Sequence, residues 1–203
     1  MTIELYHGDL PDGLDLGDVV AVDTETMGLN PVRDRLCLVQ LSSGDGNAHI
    51  VKLEAGCYDA PNLRALLGDE TVTKIFHFAR FDMAMLWRYL NVMPTPVYCT
   101  KIASRLARTY TDRHGLKDLC RELVNVDLSK YFQSSDWGAS KLSPAQLEYA
   151  ASDVLYLHKL RDILDRMLER EGRTALARSC FDFLAARAHL DLGGWAEVDI
   201  FHH

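Results

Sequence analysis

Two acids close a run of apolar residues near the start of the chain: Asp23 and Glu25 follow Val19, Val20, Ala21 and Val22. In a strand, residues two apart point to the same face, so the two carboxylates project together while Thr24 and Thr26 point the other way. Gly28 and the Asn30-Pro31 pair then end the strand. Carboxylates side by side in a dry place repel each other, so a cation belongs between them.

Two further acids sit on apolar faces. Residues 143–170 read as one long helix, opened by Ser143 as N-cap, Pro144 in the first turn and Gln146 as a capping-box partner. At about 100° per residue from Leu147, the residues Glu148, Ser152, Lys159, Arg166 and Arg170 share one arc. Asp153 falls away from that arc, among Ala150, Leu157, Leu160 and Leu164, with Tyr149 one turn earlier on nearly the same line. On the helix that starts near Arg80, Asp82 shares its stripe with Met85, Leu86 and Tyr89. Taken singly, Asp82 reads equally as a helix cap or dipole partner, and a salt bridge competes for Asp153. Taken together, four such acids have no matching set of inward lysines or arginines nearby. An ionised carboxylate buried without a partner costs several kcal/mol. All-carboxylate donors suit Mg²⁺ or Mn²⁺ rather than zinc. Two such ions ~3.5–4 Å apart serve in-line displacement at phosphorus, one activating water and the other stabilising the leaving oxygen.

The elements that must position these side chains follow from patterning. Strands are expected at 19–26, 36–41, 48–53, 73–78 and 94–98, with a Gly-Asp-Gly turn within 42–47 making a hairpin. Helices are expected at 62–67, 80–90, 101–109, 116–124, 143–170 and 173–187. An irregular loop at 131–142 and a tail from His189 remain. The expectation is one α/β domain over 1–203, with a motif-bearing core at 19–170, a C-terminal helix and tail at 173–203, and a mixed five-stranded sheet flanked by helices.

Bulk properties narrow the class. At 203 residues and 48% hydrophobic the chain can bury a substantial core, and no apolar run approaches the ~18 residues of a membrane span. The first residues lack the basic and apolar regions of a signal peptide, and the five cysteines are scattered with no Cys-x-x-Cys pair. Both point to a reduced, cytoplasmic chain without a zinc site. The net charge of −7 argues against broad adhesion to duplexes but leaves room for local basic grooves.

Three motifs in order now resemble a known family. Asp23-x-Glu25 with Thr26, Gly28 and Leu29, then His77 to Phe81-Asp82, then Tyr149 to Asp153 are similar to the three exonuclease motifs of the DEDD 3′–5′ exonucleases. Tyrosine four before the last aspartate matches the DEDDy branch; the histidine branch would need histidine where Glu148 stands. Segments 115–123, 135–137 and 142–157 resemble ribonuclease D. The asparagine common in the second motif is absent, and the chain is too short for the helical nucleic-acid-binding domains of ribonuclease D. A short stand-alone domain of this kind resembles the nanoRNase C (NrnC) type. That resemblance implies an RNase H-like (DnaQ-like) fold, a ring-shaped homo-octamer and degradation of very short RNAs, 5′-phosphorylated diribonucleotides in particular. Ribonuclease D-like trimming of longer RNA and a DNA exonuclease stand as alternatives, as does an inactive binding domain.

The resemblance assigns the roles. Asp23, Glu25, Asp82 and Asp153 hold two Mg²⁺ or Mn²⁺ ions, and Tyr149 orients the attacking water. Thr24, Thr26, Met27 and the segment from His77 to Phe81 border the 3′ nucleotide. Leu29 either wedges between the last two bases or packs its own turn. His77 reads equally as a satisfied strand-end histidine, and Trp137 as a base-stacking ring or a loop anchor. Lys101, Arg105, Arg108, Arg113, His114 and Lys117 form the most basic tract. It either receives a 5′ phosphate, limiting substrate length, or is a solvated face.

Overall fold

The computed structural model describes residues 2–128 and 135–203; the first part of the expected 131–142 loop lies outside them. The strands are β1 (Ile3–His7), β2 (Val19–Thr26), β3 (Leu36–Ser42), β4 (Ala48–Lys52), β5 (Thr73–Phe76) and β6 (Val97–Cys99). They form one mixed sheet in the order β1-β4-β3-β2-β5-β6. The meander β2-β3-β4 is antiparallel, whereas β2, β5 and β6 run parallel to one another and β1 runs parallel to β4. Six strands replace the expected five. The addition, β1, is a short, half-exposed edge strand; Ile3 and Leu5 alternate with Glu4, but five residues give that period little length to stand out.

The helices are α1 (Pro61–Gly68), α2 (Ala79–Leu90), α3 (Thr100–Ala107), α4 (Leu116–Val124), α5 (Pro144–Leu155), α6 (Leu157–Arg170), α7 (Thr174–Asp182) and α8 (Leu184–Leu190). β3 is buried along its whole length, and the four residues Val20, Ala21, Val22 and Thr24 of β2 are buried too. The expected long helix at 143–170 is two helices, broken at Tyr156 (φ −107°, ψ −3°). Each half serves a different surface: α5 packs on β2, β3 and β4, whereas α6 packs on α3, α4 and α7. Its capping box is present, with Ser143 and Gln146 bonded reciprocally. Just past the break, His158 Nε2 meets the Val19 carbonyl at 3.0 Å, fastening α6 to the start of β2. The tail is also ordered. Asp191 is buried and accepts two hydrogen bonds from Arg80 and two from Arg187, tying the C-terminal segment to α2. Ala84 of α2 is buried, and α8 packs against α2.

Parallel strands β2, β5 and β6 bring their carboxyl ends to one edge. In open α/β sheets, that edge is where ligands bind.

Candidate active site

That edge carries Asp23 to Thr26 from β2, His77 from just past β5, and Thr100 and Lys101 from just past β6. A cavity of about 550 Å³ opens there, and its walls include all four motif acids and Tyr149. Asp23, Glu25 and Asp153 can each offer a carboxylate oxygen with all three oxygens within 4.8 Å of one another. Asp23 and Glu25 share a face by strand alternation, and α5, lying over that face, lowers Asp153 onto them. Asp82 arrives from the other side. Its Oδ1 accepts a hydrogen bond from Thr24 Oγ1 at 2.6 Å, and alternation points Thr24 away from its neighbouring acids. Asp82 therefore lines the cavity from outside the tight group of three.

The electrostatics of this group are those of a cation site. Burial pushes the carboxyls of Asp23, Glu25, Asp82 and Asp153 upward, and the charge of Asp23 raises the other three further. No lysine or arginine is among the groups that shift them. The donor set is hard oxygen only and in excess of negative charge, which fits Mg²⁺ or Mn²⁺. Tyr149 stands beside it with its phenol pushed far up, first by burial and then by Asp153, so the hydroxyl keeps its proton. Trp137 is buried and tilted against the Tyr149 ring at 5.9 Å, so this indole anchors its loop rather than facing a base.

The turn after β2 is tightly built. Asn30 Oδ1 accepts from the amides of Val32 and Arg33, and Asp34 Oδ2 accepts from the Asn30 amide at 3.0 Å. Asp34 lies so close to Gly28 that a Cβ there would meet its carboxylate oxygen at 2.3 Å. Only glycine fits that approach. The turn holds Met27 and Leu29 outward, and Leu29 is 87% exposed, so it does not pack its own turn.

A 3′–5′ exonuclease family model matches residues 10–169. Over full coverage of both chains, the protein is 60% identical to an NrnC from Brucella melitensis with bound Mg²⁺, at a TM-score of 0.96. The chain belongs to the NrnC family of 3′–5′ exonucleases. The same Brucella protein bound to pGG is 61% identical, with a TM-score of 0.97. Escherichia coli RNase D is 25% identical at a TM-score of 0.73, over 84% of this chain and 45% of that one. A ribonuclease D from Gluconacetobacter diazotrophicus is 36% identical over 154 residues, 76% of this chain. The NrnC-family chain spans only 39% of that relative's length. As a member of this family it is a hydrolytic exonuclease on an RNase H-like (DnaQ-like) scaffold.

Within this NrnC-family cavity, Thr24, Thr26, Met27, Leu29, His77 and Phe81 all line the walls. The basic tract divides. Arg108 is 1% exposed, ion-paired with Glu122, and donates to Ser104 Oγ and the Arg113 carbonyl. It joins α3 to α4 and is not available to a phosphate, so its expected place among the substrate contacts is corrected. Arg113 faces solvent 3.6 Å from Glu122, and His114 Nδ1 meets Ser104 Oγ at 2.8 Å; neither borders the cavity. Arg105 lines a separate hollow of about 180 Å³, shared with Lys101. The tract's cavity residues are Lys101 and Lys117. Phe78, from the His77 to Phe81 segment expected at the 3′ nucleotide, also lines it, as do Leu116 and Ser135 from the ribonuclease D-like segments and Leu128, which carried no sequence signal. Phe78 caps α2 in the left-handed region (φ 71°), half exposed, with Lys101 Nζ 4.1 Å over its ring.

Proposed function

We propose that this protein hydrolyses very short 5′-phosphorylated RNAs, diribonucleotides in particular, from the 3′ end to nucleoside 5′-monophosphates. The observation that carries the reading is the meeting of Asp23, Glu25 and Asp153 oxygens within 4.8 Å in a cavity also walled by Tyr149. The relative bound to Mg²⁺ and to pGG supports both the cation and the short ligand. Two Mg²⁺ or Mn²⁺ ions held by Asp23, Glu25, Asp82 and Asp153 would supply the Lewis-acid chemistry of in-line displacement at phosphorus. The chain's own residues do the rest. Tyr149, protonated, holds the attacking water in line rather than taking its proton. Leu29 stands free at the cavity mouth to part the two bases. Phe81 and Met27 pack the 3′ nucleotide. Lys101 and Lys117 face the 5′ phosphate, a role that passes to them from Arg105, Arg108, Arg113 and His114.

We read residues 1–203 as one exonuclease domain, working in the cytoplasm. No helix among the described residues is long and apolar enough to cross a membrane. Assembly into a homo-octamer is proposed on the family resemblance. The exposed apolar side chains of Leu176, Phe183, Trp195, Val198, Ile200 and Phe201 support such self-association.

The direct test of the cation site is Asp153→Asn. It should lower turnover by about 1000-fold, the effect of losing ~4 kcal/mol of charge stabilisation. Adding Mg²⁺ or Mn²⁺ should raise the melting temperature of the wild type and not that of the variant. Robust turnover by Asp153→Asn, or full wild-type activity in EDTA, contradicts the reading.

A further inference from the structure

His77 lies at the carboxyl end of β5 and lines the cavity. Its Nδ1 is 2.9 Å from Thr100 Oγ1, and that same oxygen donates to the Phe76 carbonyl at 3.1 Å. A hydroxyl has one proton, and a carbonyl can only accept. If Thr100 gives its proton to Phe76, the contact with His77 is made by the imidazole donating. All three groups are then satisfied. The opposite assignment turns a bare threonine oxygen toward the Phe76 carbonyl, a clash of acceptors in a buried place. The network thus fixes the Nδ1–H tautomer.

The other ring nitrogen, Nε2, is left as a lone-pair acceptor. It makes no hydrogen bond to the described residues, and it is not among the buried polar atoms sealed from solvent without a partner. Burial, helped by Lys101, pushes the imidazolium down to about 3, so the ring is neutral at any working pH. A neutral acceptor repels phosphate oxygens and asks for a donor. On a nucleotide whose phosphate lies against Asp23, Glu25 and Asp153, the donors nearest to that phosphate are the ribose hydroxyls. Base edges, beyond the sugar, are farther from that phosphate.

We propose that His77 Nε2 accepts a hydrogen bond from a ribose hydroxyl of the 3′-terminal nucleotide, making it a determinant of sugar specificity. This rests on the RNA reading above. Thr100 is the positioning residue that sets the tautomer.

The test uses the full chain and four 5′-phosphorylated dinucleotides: all-ribose, 2′-deoxy at the 3′ nucleotide, 3′-deoxy at that nucleotide, and all-deoxy. The wild type should cleave the all-ribose compound about tenfold better, by kcat/KM, than one of the two singly deoxygenated compounds, the worth of one hydrogen bond. Which of the two suffers identifies the hydroxyl. His77→Phe should lose this preference, chiefly by slowing on the all-ribose compound. Thr100→Val keeps the imidazole but frees its tautomer and should weaken the preference; it serves if His77→Phe melts early. A His77→Phe or Thr100→Val enzyme that keeps the full wild-type preference overturns the proposal, as does a wild type indifferent to both hydroxyls. A wild type that leaves the all-ribose dinucleotide uncut and cleaves the all-deoxy one instead sinks the RNA reading itself.

Discussion

Tyr149 shows how one residue's environment sets its role. Its phenol is raised by burial and by Asp153 beneath it, so it cannot serve as a phenolate base. Tyr149→Phe should therefore cut kcat by about 100-fold, as for loss of one preorganised hydrogen-bond group, with an unchanged melting profile and little change in KM. A variant with wild-type kcat would remove Tyr149 from the mechanism. The acids were legible in sequence because each breaks an apolar pattern, and breaking a pattern is visible without a structure. The conformation of Phe78 was not legible. Its left-handed backbone at the start of α2 is set by the chain's turn from β5 into the helix, and phenylalanine gives no hint of a positive φ. Leu29 was ambiguous for a related reason. Exposure depends on where the turn points, and the turn is fixed by Asp34 folding back on Gly28, a contact between residues with no periodic relation.

At the scale of elements, the arrangement of strand ends and helices is the device that concentrates charge. Three parallel strand ends converge, α5 closes from one face, and α2 closes from the other. Helix-face arithmetic found Asp153 and Asp82 because burial follows the period within each helix. It missed the break at Tyr156 because Leu157, Leu160 and Leu164 stay buried on both accounts. It misread Arg108 because an arginine on a basic helix face looks solvated until α4 brings Glu122 to it. The consequence is measurable. Arg108→Met should lower stability by about 2 kcal/mol, the cost of removing a buried charged donor from its acceptors, and leave KM for a dinucleotide unchanged. Lys101→Ala should do the reverse, raising KM several-fold with little loss of stability. Swapped outcomes would return the phosphate contact to Arg108.

At the scale of the whole molecule, the overall architecture was legible because the core strands alternate or run apolar, and β1 was missed because its Ile-Glu-Leu alternation is too short to stand out. Self-association is a different matter: no sequence period marks it, and the apolar residues that support it lie in α7, at the junction of α7 and α8, and in the tail. Phe183 and Phe201 already lie tilted against each other at 6.1 Å there. Light scattering should give a multiple of the chain mass, and Phe183→Glu with Phe201→Glu should reduce it. A wild type that runs as a single chain at micromolar concentration would contradict the octamer. The central claim, a cation-dependent exonuclease matched to very short RNA, is tested most directly by substrate length. With Mg²⁺ or Mn²⁺ present, 5′-phosphorylated RNAs of about two to ten nucleotides, and the same lengths of DNA, are compared by kcat/KM. The dinucleotide RNA should be cleaved markedly faster than every longer RNA and faster than its DNA counterpart. Equal rates at all lengths, or faster cleavage of the longer chains, would contradict it.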